Sequence, residues 1–405
     1  MTSSPESWSV TPLGELVEVL DFARIPVSAP ERAKRLGSVP YYGAAGQVGW
    51  IDRPLFDEPL VLLGEDGVQF FDSMKSKAYS ISGPAWVNNH AHVLRARPAM
   101  DRRYLLHFLN QFDYRGFANG TTRLKLTQAA MRRMPIYYPE LDEQRRIVDI
   151  LEGHLSRLDA AGSVLTTSGA RLKRFHQASL DSCVQTAAKD SSTSTTTIGS
   201  LAKVGTGATP LKSRTDYYAG GDIPWITSGD LSQGLIQDAT HFVTPVALKE
   251  TAIKLWPVGT LLVAMYGEGK TRGTTAELGI EATTNQACAA IQMHDPDQSL
   301  KSWVRLVLES NYWSMRRMAS GGVQPNLSLG LVRGIEIPVP ARDRQERLLS
   351  ARDAQVEAEQ VLAAAFITSQ RRSLSLRRSL LAAAFSGRLT GRTTDMEMVE
   401  EMAGV

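Results

Sequence analysis

The chain has 405 residues, 43% hydrophobic and 21% charged, which is ordinary for globular proteins and long enough for two or three separate cores. Its formal net charge of +3 permits nucleic-acid binding without requiring it, because a DNA footprint depends on clustered cations. The sequence contains no signal-peptide pattern and no apolar run long enough for a membrane span, and its two cysteines lack metal-ligand spacing. We therefore expect a reduced, cytoplasmic protein without a membrane segment.

The first part of the chain, residues 1–141, predicts a mixed α/β domain. Short apolar runs bounded by turn residues predict strands at 59–64, 78–82, 92–96 and 136–138. Residues 102–112 have the spacing of an amphipathic helix. A polar loop at 116–125 then leads into the last of these strands.

After Pro139 a long proline-free run begins, in which apolar or small residues recur every three or four positions. That is the average spacing of a coiled-coil seam. The seam residues are Leu151, Leu155, Leu158, Gly162, Leu165, Gly169 and Leu172. A helix of about 40 residues is roughly 60 Å long. We expect a strut that needs a partner for its apolar stripe.

That partner lies 201 positions later, where residues 337–385 repeat the strand, the turn and the long helix. Over the 27 gapless positions from Gly120 to Arg146, eight residues are identical to those 201 positions on. Composition alone would give roughly one or two identities. An internal duplication is the simplest interpretation. The alternative is two unrelated surface helices behind similar strands.

The predicted fold class is α/β (α+β), with two similar globular domains joined by two long antiparallel coiled-coil helices in a pseudo-twofold internal repeat. A serine- and threonine-rich stretch at 187–197 predicts a linker, and the acidic end of the chain is expected to fray. The predicted divisions are a first domain at 1–141, a central helix and linker at 142–190, a second domain at 191–341, a distal helix at 342–390 and an acidic tail at 391–405.

Catalytic motifs are scarce in this sequence. Residues 264–271, AMYGEGKT, match a permissive phosphate-loop pattern, but a poor helix start follows, which favours a basic or merely solvated loop. His90 and His92 alternate on a predicted strand with no third ligand nearby, so we expect one buried and one exposed histidine rather than a metal site. Methyltransferase motifs and the carboxylate clusters of nucleases are not found.

Polar, glycine-bearing loops at 116–125 and 318–326 lie between a helix and the strand that leads into each long helix. Their Asn, Gln, Arg and Thr side chains are of the kind that read base edges, although such loops also serve as simple connections. The candidate DNA-contacting residues are Tyr41, Tyr42, Thr122, Arg123, Lys125, Thr227, Ser228, Lys270, Arg272, Gln324 and Asn326.

The duplicated pattern resembles the specificity subunits of type I restriction-modification systems. Their first helical region typically opens with a proline, an acid–glutamine pair and an isoleucine, here Pro139, Glu143, Gln144 and Ile147. The second copy retains Pro340, Gln345 and Leu348, with Arg344 in place of the acid. Residues 376–390 are similar to the usual end of the distal helix, and residues 224–231 and the turn at Gly269 and Lys270 are similar to recognition-domain features.

The resemblance implies a non-catalytic subunit whose two domains each recognise half of a bipartite double-stranded DNA target. Half-sites on one face of B-DNA lie roughly 34 Å apart, and a strut of roughly 60 Å spans that distance. It also implies two methyltransferase subunits carrying S-adenosylmethionine and two restriction subunits using ATP and magnesium, with no cofactor in this chain. The residues expected to bind partner subunits are Gln144, Arg146, Gln345 and Arg347.

Two other hypotheses remain open from the sequence. One is a protein scaffold whose helices assemble partners without reading DNA, and its binding would not weaken with added salt as DNA binding does. The other is a self-contained enzyme, which would show turnover as a purified single chain.

Overall fold

The computed structural model describes residues 8–267, 271–318, 326–389 and 394–404. The chain divides into two compact units. The first unit contains residues 1–166 and 366–405, and the second contains residues 167–365. Each unit therefore holds one globular domain together with one part of each long helix.

The globular domain of the first unit, called here the first copy, extends from residue 9 to residue 138. In chain order its elements are β1 (Ser9–Pro12), α1 (Leu13–Leu16), β2 (Val17–Val19), α2 (Ala29–Lys34), β3 (Val39–Gly43), β4 (Gly46–Ile51), β5 (Phe56–Asp57), β6 (Leu60–Gly64), β7 (Ala78–Ile81), β8 (Pro84–Val87), β9 (Ala91–Ala96), α3 (Arg102–Gln111), β10 (Ala118–Asn119), β11 (Lys125–Leu126), α4 (Gln128–Arg132) and β12 (Pro135–Tyr138), with a 3-10 turn at Asp21–Ala23.

Strand β6 lies at the centre of the first copy. It belongs to a four-stranded sheet of order β2-β9-β6-β7, and all five of its residues are buried, as its uninterrupted apolar sequence predicts. Helix α3 is capped by the Asp101 carboxylate and buries one face, which includes Tyr104, Leu105 and Phe108. A second sheet, of order β4-β3-β8-β5, completes the domain.

The first copy begins and ends on the same two-stranded ladder. Strand β1 pairs antiparallel with β12, from Ser9 opposite Tyr138 to Pro12 opposite Pro135. The chain therefore leaves this domain beside the point where it entered.

Helix α5 (Leu141–Ala188) follows directly and is 48 residues long, which corresponds to roughly 72 Å. The buried Gln144 side chain fixes its start: Nε2 donates to the carbonyls of Pro139 and Ala99 at 2.9 and 3.0 Å, and Oε1 accepts from the Asp101 amide at 2.8 Å. Leu151 and Leu155 of the predicted seam are buried. The other seam residues are half-buried, which confirms the predicted stripe.

The second copy repeats this plan between residues 194 and 339. Its elements are β13 (Ser194–Thr197), α6 (Ile198–Leu201), β14 (Ala202–Thr206), β15 (Ile223–Ile226), β16 (Leu235–Ile236), β17 (Phe242–Val243), α7 (Pro245–Glu250), β18 (Leu261–Ala264), β19 (Thr275–Leu278), β20 (Thr283–Thr284), β21 (Cys288–Met293), α8 (Gln298–Ser310), α9 (Tyr312–Met318), α10 (Leu329–Arg333) and β22 (Glu336–Val339), with 3-10 turns at Thr215–Tyr217 and Asp230–Gln233. Its main sheet has the order β14-β21-β18-β19-β16, and β13 pairs with β22 as β1 pairs with β12.

The duplication extends to single hydrogen bonds. The Asn88 side chain accepts from the amide two residues on at 2.9 Å, and Asn285 does the same at 3.0 Å. Gln345 Nε2 donates to the Pro340 carbonyl at 2.8 Å, as Gln144 does to Pro139. The predicted internal repeat of two similar domains is therefore confirmed.

The second long helix, α11 (Arg342–Phe385), packs antiparallel to α5 within each unit. In the second unit Ser179 Oγ donates to Gln355 Oε1 at 2.5 Å, while Arg344 reaches the Thr186 carbonyl at 3.3 Å. In the first unit Arg377 pairs with Asp159, and Arg146 donates to the Leu389 carbonyl at 3.1 Å. In both units, higher residue numbers in α5 face lower numbers in the α11 segment, which confirms the predicted antiparallel pair.

Two expectations about the connecting segments are corrected by the structure. The linker predicted at 187–197 is shorter, because α5 continues to Ala188 and the β-branched threonines near the end of the stretch form β13. The acidic end is not frayed throughout, because α12 (Thr394–Ala403) buries Val399 in the core of the first unit. The Ser375 hydroxyl donates to the Ala403 carbonyl at 2.8 Å, which ties α12 to α11.

Candidate nucleic-acid interface

Several loops of the first copy meet at one edge, next to the end of β6. The amide of Glu65 donates to the His90 carbonyl, and the amide of Leu126 donates to the Glu65 carbonyl, both at 2.8 Å. The Asn88 amide donates to the Tyr42 carbonyl at 3.0 Å. We call the residues brought together here, 42–46, 64–67, 88–90 and 119–126, the first loop edge.

The charged side chains of the first loop edge are arranged in pairs. Arg123 Nη2 lies 2.7 Å from Asp66 Oδ1, and His90 Nδ1 lies 2.9 Å from the same oxygen. Lys125 Nζ lies 3.0 Å from Glu65 Oε1. The Arg123 and Lys125 side chains are 60% and 53% exposed, so both cations can reach a ligand from solvent. The edge therefore presents cations that carboxylates already orient.

A buried ionic cluster supports this edge, and we define it as Asp21, Arg24, Glu65 and His92. The His92 ring is 1% exposed, with Nδ1 2.6 Å from Asp21 Oδ2 and Nε2 2.9 Å from the Leu126 carbonyl. Both ring nitrogens therefore face oxygen atoms. His92 lies on β9 and is buried, whereas His90 lies in the turn before that strand and is partly exposed, so one histidine is buried and one is exposed, as expected.

Three members of the cluster, Asp21, Glu65 and His92, have ligand atoms that all lie within 4.8 Å of one another, which is close enough to hold a metal ion. Arg24 supplies the positive charge there instead, with its guanidinium 2.9 Å from Glu65 and 3.3 Å from Asp21. The arrangement is that of a satisfied ion network.

The pKa values of the two carboxyls reflect these contacts. Burial alone would raise the pKa of Asp21, but the hydrogen bond and the charge of His92, with smaller contributions from the Val93 amide and Arg24, leave that pKa below its ordinary value. Burial likewise opposes ionisation of Glu65, and hydrogen bonds from Arg24 and Lys125 outweigh it, so the pKa of Glu65 is lowered too. Both side chains are therefore carboxylates at neutral pH.

The second copy has a corresponding second loop edge, formed by residues 206–209, 226–228, 265–267, 285–287 and 326–327. The Met265 amide donates to the Ala287 carbonyl at 2.7 Å, and the Leu327 amide donates to the Met265 carbonyl at 3.1 Å. Thr209 Oγ1 donates to Gln286 Oε1 at 2.5 Å. Strand register equates His92 with Ala289 and places Glu65 and Met265 one residue beyond equivalent strands, while counting onward from β2 and β14 makes Asp21 and Arg24 correspond to Thr206 and Thr209. The two edges thus have equivalent backbone hydrogen bonds but differ in the charge of their side chains.

The structure brings most of the predicted DNA-contacting residues to these two edges. Thr122, Arg123 and Lys125 are exposed on the hairpin of β10 and β11, and Tyr42 is the last residue but one of β3. On the second edge lie the half-buried Thr227 and Ser228 and the exposed Asn326. Thr227 is held by Asp230, which accepts from both its amide and its hydroxyl at 2.8 Å.

Other predicted contacts are placed differently. Tyr41 is 1% exposed, with the Arg32 guanidinium 4.6 Å from its ring centroid, so its side chain does not reach a base; the prediction failed because it ignored strand alternation. Arg272 is half-buried, and its carbonyl accepts from Arg316 at 3.1 Å. Lys270 and Gln324 lie outside the described residues.

Sequence reasoning missed Asp66, Thr209 and Gln286 as members of these edges. His90 was noticed, but only as a metal-ligand candidate. For Gln286 the repeat offers a signal, because the two asparagine turns are equivalent and place Asn89 and Gln286 at the same position of the repeat.

The predicted partner-binding residues mostly serve the fold. Gln144 and Gln345 are 0% and 5% exposed, and their hydrogen bonds fix the starts of the long helices, so the prediction of direct partner contact is wrong for both. Arg146 is engaged with Glu143 and with the Leu389 carbonyl. Arg347 is 69% exposed beside Asp343, which leaves it accessible to a partner.

The fold and its two loop edges define a twice-repeated recognition module mounted on a pair of long helices. Residues 5–161 and 191–354 each match the model of the type I restriction modification DNA specificity domain. The chain belongs to this family, as its sequence pattern suggested. No helix among the described residues has both the length and the apolar character to cross a membrane.

Individual relatives are similar over part of their length. A putative type I restriction enzyme specificity subunit of Haemophilus influenzae is 35% identical over 144 residues, which is 35% of this chain and 36% of the relative. The EcoR124I/EcoR124II specificity subunit of Escherichia coli is 23% identical over 260 residues, 62% of each chain. The MjaIX specificity subunit of Methanocaldococcus jannaschii is 27% identical over 154 residues, 37% of this chain and 35% of the relative. The similarity therefore spans between about one third and two thirds of these relatives.

Solved structures share the fold at low identity. One chain, from a study of complex assembly and conformational transition of the type I R-M system, has a TM-score of 0.75 at 16% identity, covering 96% of this chain and 100% of that one. The HsdS subunit from Thermoanaerobacter tengcongensis has a TM-score of 0.56 at 16% identity, covering 96% and 98%. Both agree with the two-copy architecture described above.

Proposed function

We propose that this chain is the DNA-recognition subunit of a type I restriction-modification complex, acting in the cytoplasm, in which each copy reads one half of a bipartite target. The observation that carries the proposal is the duplicated loop edge, present once in each copy of a matched DNA specificity domain. A repeated module with two equivalent binding edges suits a target with two separate halves.

The long helices are proposed to set the gap between the two halves of the target. Helices α5 and α11 contain 48 and 44 residues, and both extend from one unit into the other. A continuous α-helix resists changes in length, because each residue adds a fixed rise of about 1.5 Å. The gap should therefore depend on the helices, and the recognised bases on the copies.

We assign the chemistry of modification and cleavage to partner subunits. In this proposal two methyltransferase subunits supply S-adenosylmethionine chemistry, two restriction subunits use ATP and magnesium, and this chain is non-catalytic. Apolar side chains exposed on the helices offer docking surfaces: Val164, Phe175, Val361, Leu362, Ile367 and Leu374. In the second unit a groove of about 420 Å³ between α5 and α11 is lined partly by Phe175, Ala178 and Leu348.

The test is to co-express the chain with its methyltransferase subunit and to sequence the methylated motif of the host. We expect a two-part motif, and a chain in which residues 1–141 come from another specificity subunit should change one half only. An insertion that lengthens both helices by one heptad should change the gap and leave the halves intact. If exchanging residues 1–141 altered both halves, the modular assignment would be wrong.

Partner docking has its own test. Phe175→Asp should reduce co-purification of the methyltransferase subunit, because the 56% exposed ring borders the groove. Leu36→Asp, at an 86% exposed side chain of the first copy, is the matched control and should have no effect. Equal loss in both variants would point to general destabilisation rather than to docking.

The rival function is a scaffold that assembles proteins without reading DNA. The two hypotheses differ in salt dependence, because phosphate contacts release counterions and protein contacts at apolar surfaces do not. If the chain binds its partners with an affinity that stays constant between low and high salt, the scaffold hypothesis is favoured.

A further inference from the structure

We propose that Arg123, oriented by Asp66, reads a guanine in the half-site bound by the first copy. This assignment rests on the proposed function and adds to it a named residue, a base and a position in the chain. The chemical basis is that arginine donors match the O6 and N7 acceptors of guanine in the major groove, the commonest specific protein–base contact.

The geometry of the side chain supports base reading. One terminal nitrogen of Arg123, Nη2, lies 2.7 Å from Asp66 Oδ1, whereas the side chain as a whole is 60% exposed. The guanidinium is planar, so a carboxylate that holds one nitrogen also fixes the plane of the remaining donors. The Asp66 side chain is only 16% exposed, and its Oδ1 atom also lies 2.9 Å from His90 Nδ1. Arg123 is thus presented to solvent in a defined orientation.

The backbone beneath Arg123 is equally constrained. Gly120 has φ +141°, and a Cβ added there would lie 2.2 Å from the Arg123 carbonyl oxygen. Gly67 has φ +72°, and a Cβ there would lie 2.9 Å from Arg123 Nη2. A side chain at either glycine would therefore displace the hairpin or the guanidinium.

The buried ionic cluster anchors the far end of the same hairpin. His92 Nε2 donates to the Leu126 carbonyl at 2.9 Å, and the Leu126 amide donates to the Glu65 carbonyl at 2.8 Å. A contact that is fixed before binding favours discrimination between bases, whereas a mobile cation serves phosphate equally well. Lys125, whose flexible stem ends on Glu65, fits the phosphate role better.

The assignment predicts an effect confined to one half of the target. The cluster is replaced in the second copy by Thr206, Thr209, Met265 and Ala289, so the second loop edge lacks the same support. Arg115 provides a matched control, because its side chain is 73% exposed and pairs with Asp113 at 3.3 Å. It has the same charge and a similar partner outside the first loop edge.

The experiment uses the full chain co-expressed with the methyltransferase subunit, and reads base preference at every motif position by methylome sequencing. Four variants are compared with the wild type: Arg123→Gln, Arg123→Lys, Asp66→Asn and Arg115→Gln. In Arg123→Gln the preference for guanine at one position of the first-copy half-site should fall roughly tenfold to a hundredfold, which corresponds to the loss of one bidentate arginine–guanine contact. Arg123→Lys and Asp66→Asn should lose less, and Arg115→Gln should match the wild type.

The outcomes separate the two levels of the proposal. A uniform fall in methylation without a change of base preference would assign Arg123 to a phosphate and overturn the inference. A first-copy half-site without any G·C pair would also overturn it, while leaving the proposed function intact. If the wild type shows no two-part motif, the proposed function itself fails and the assignment falls with it. Methylation retained by Arg123→Lys would exclude misfolding as the cause.

Discussion

Replacing His92 by alanine is the most informative perturbation of the first copy. The substitution removes a buried imidazole ring that hydrogen-bonds to both Asp21 and the Leu126 carbonyl. It leaves two carboxylates, on Asp21 and Glu65, in a region where their side chains are 5% and 14% exposed. We expect the variant to be strongly destabilised in the first unit.

The magnitude follows from the contacts that remain. Breaking a buried ion pair by removing one partner costs about 3–5 kcal/mol. Arg24 still contacts both carboxylates, at 2.9 and 3.3 Å, so we expect the lower end, about 3 kcal/mol. That value corresponds to roughly a hundredfold change in the local opening equilibrium.

The second copy supplies the matched control. At the equivalent positions it carries four uncharged residues, so no buried charge needs a partner there: Thr206, Thr209, Met265 and Ala289. Transferring this set to the first copy gives the fourfold variant Asp21→Thr, Arg24→Thr, Glu65→Met and His92→Ala. Removing the whole ionic network together is often neutral, so this variant should lie within about 1 kcal/mol of the wild type.

Amide hydrogen exchange is the assay, because it reports local stability in a chain of two units. His92→Ala should accelerate exchange in β6 and β9 about a hundredfold, while β18 and β21 serve as internal controls and stay unchanged. Unaltered protection of β9 in the single variant would refute the reasoning. A fourfold variant less stable than the single one would refute it as well.

Three further predictions concern stability. The lowered pKa values of the two carboxyls mean that their stabilisation is complete above about pH 5 and is lost as pH falls through the folded-state values, so the hydrogen-exchange protection factors of the first copy, which allow for the slower intrinsic exchange in acid, should fall, and less so in the fourfold variant. Gln144→Ala should lower the free energy of unfolding in urea by about 3 kcal/mol and Gln345→Ala by about 1 kcal/mol, because the first makes three hydrogen bonds to the backbone and the second makes one; equal losses would contradict this account. Gly153→Ala should instead raise stability by about 0.5–1 kcal/mol in the same assay, since this exposed position of α5 has no described atom within 4 Å of an added Cβ.

The repeat and the long helices were predictable because their signals are local. The spacing of Leu151 and Leu155 requires only a helical period, and the identity of Pro139 with Pro340 requires only a constant offset.

The features that escaped prediction depend on residues far apart in the chain. Asp21 and His92 are separated by 71 positions, so no local pattern indicates their contact. Gln144 looked accessible because charged residues surround it in the sequence, yet its oxygen accepts from Asp101, 43 positions earlier. Tyr41 was misplaced for a different reason, because a glycine-rich aromatic segment does not reveal which face of β3 is covered.

The ladders that close each copy bear on how such proteins diversify. Strand β1 lies against β12, and β13 lies against β22, so both ends of a copy meet at one place. A foreign domain inserted as a cassette needs only two neighbouring splice points, and the helices beyond them keep their register. Recombination between related genes, rather than the gradual rebuilding of a surface, is the route to new specificities that this arrangement favours.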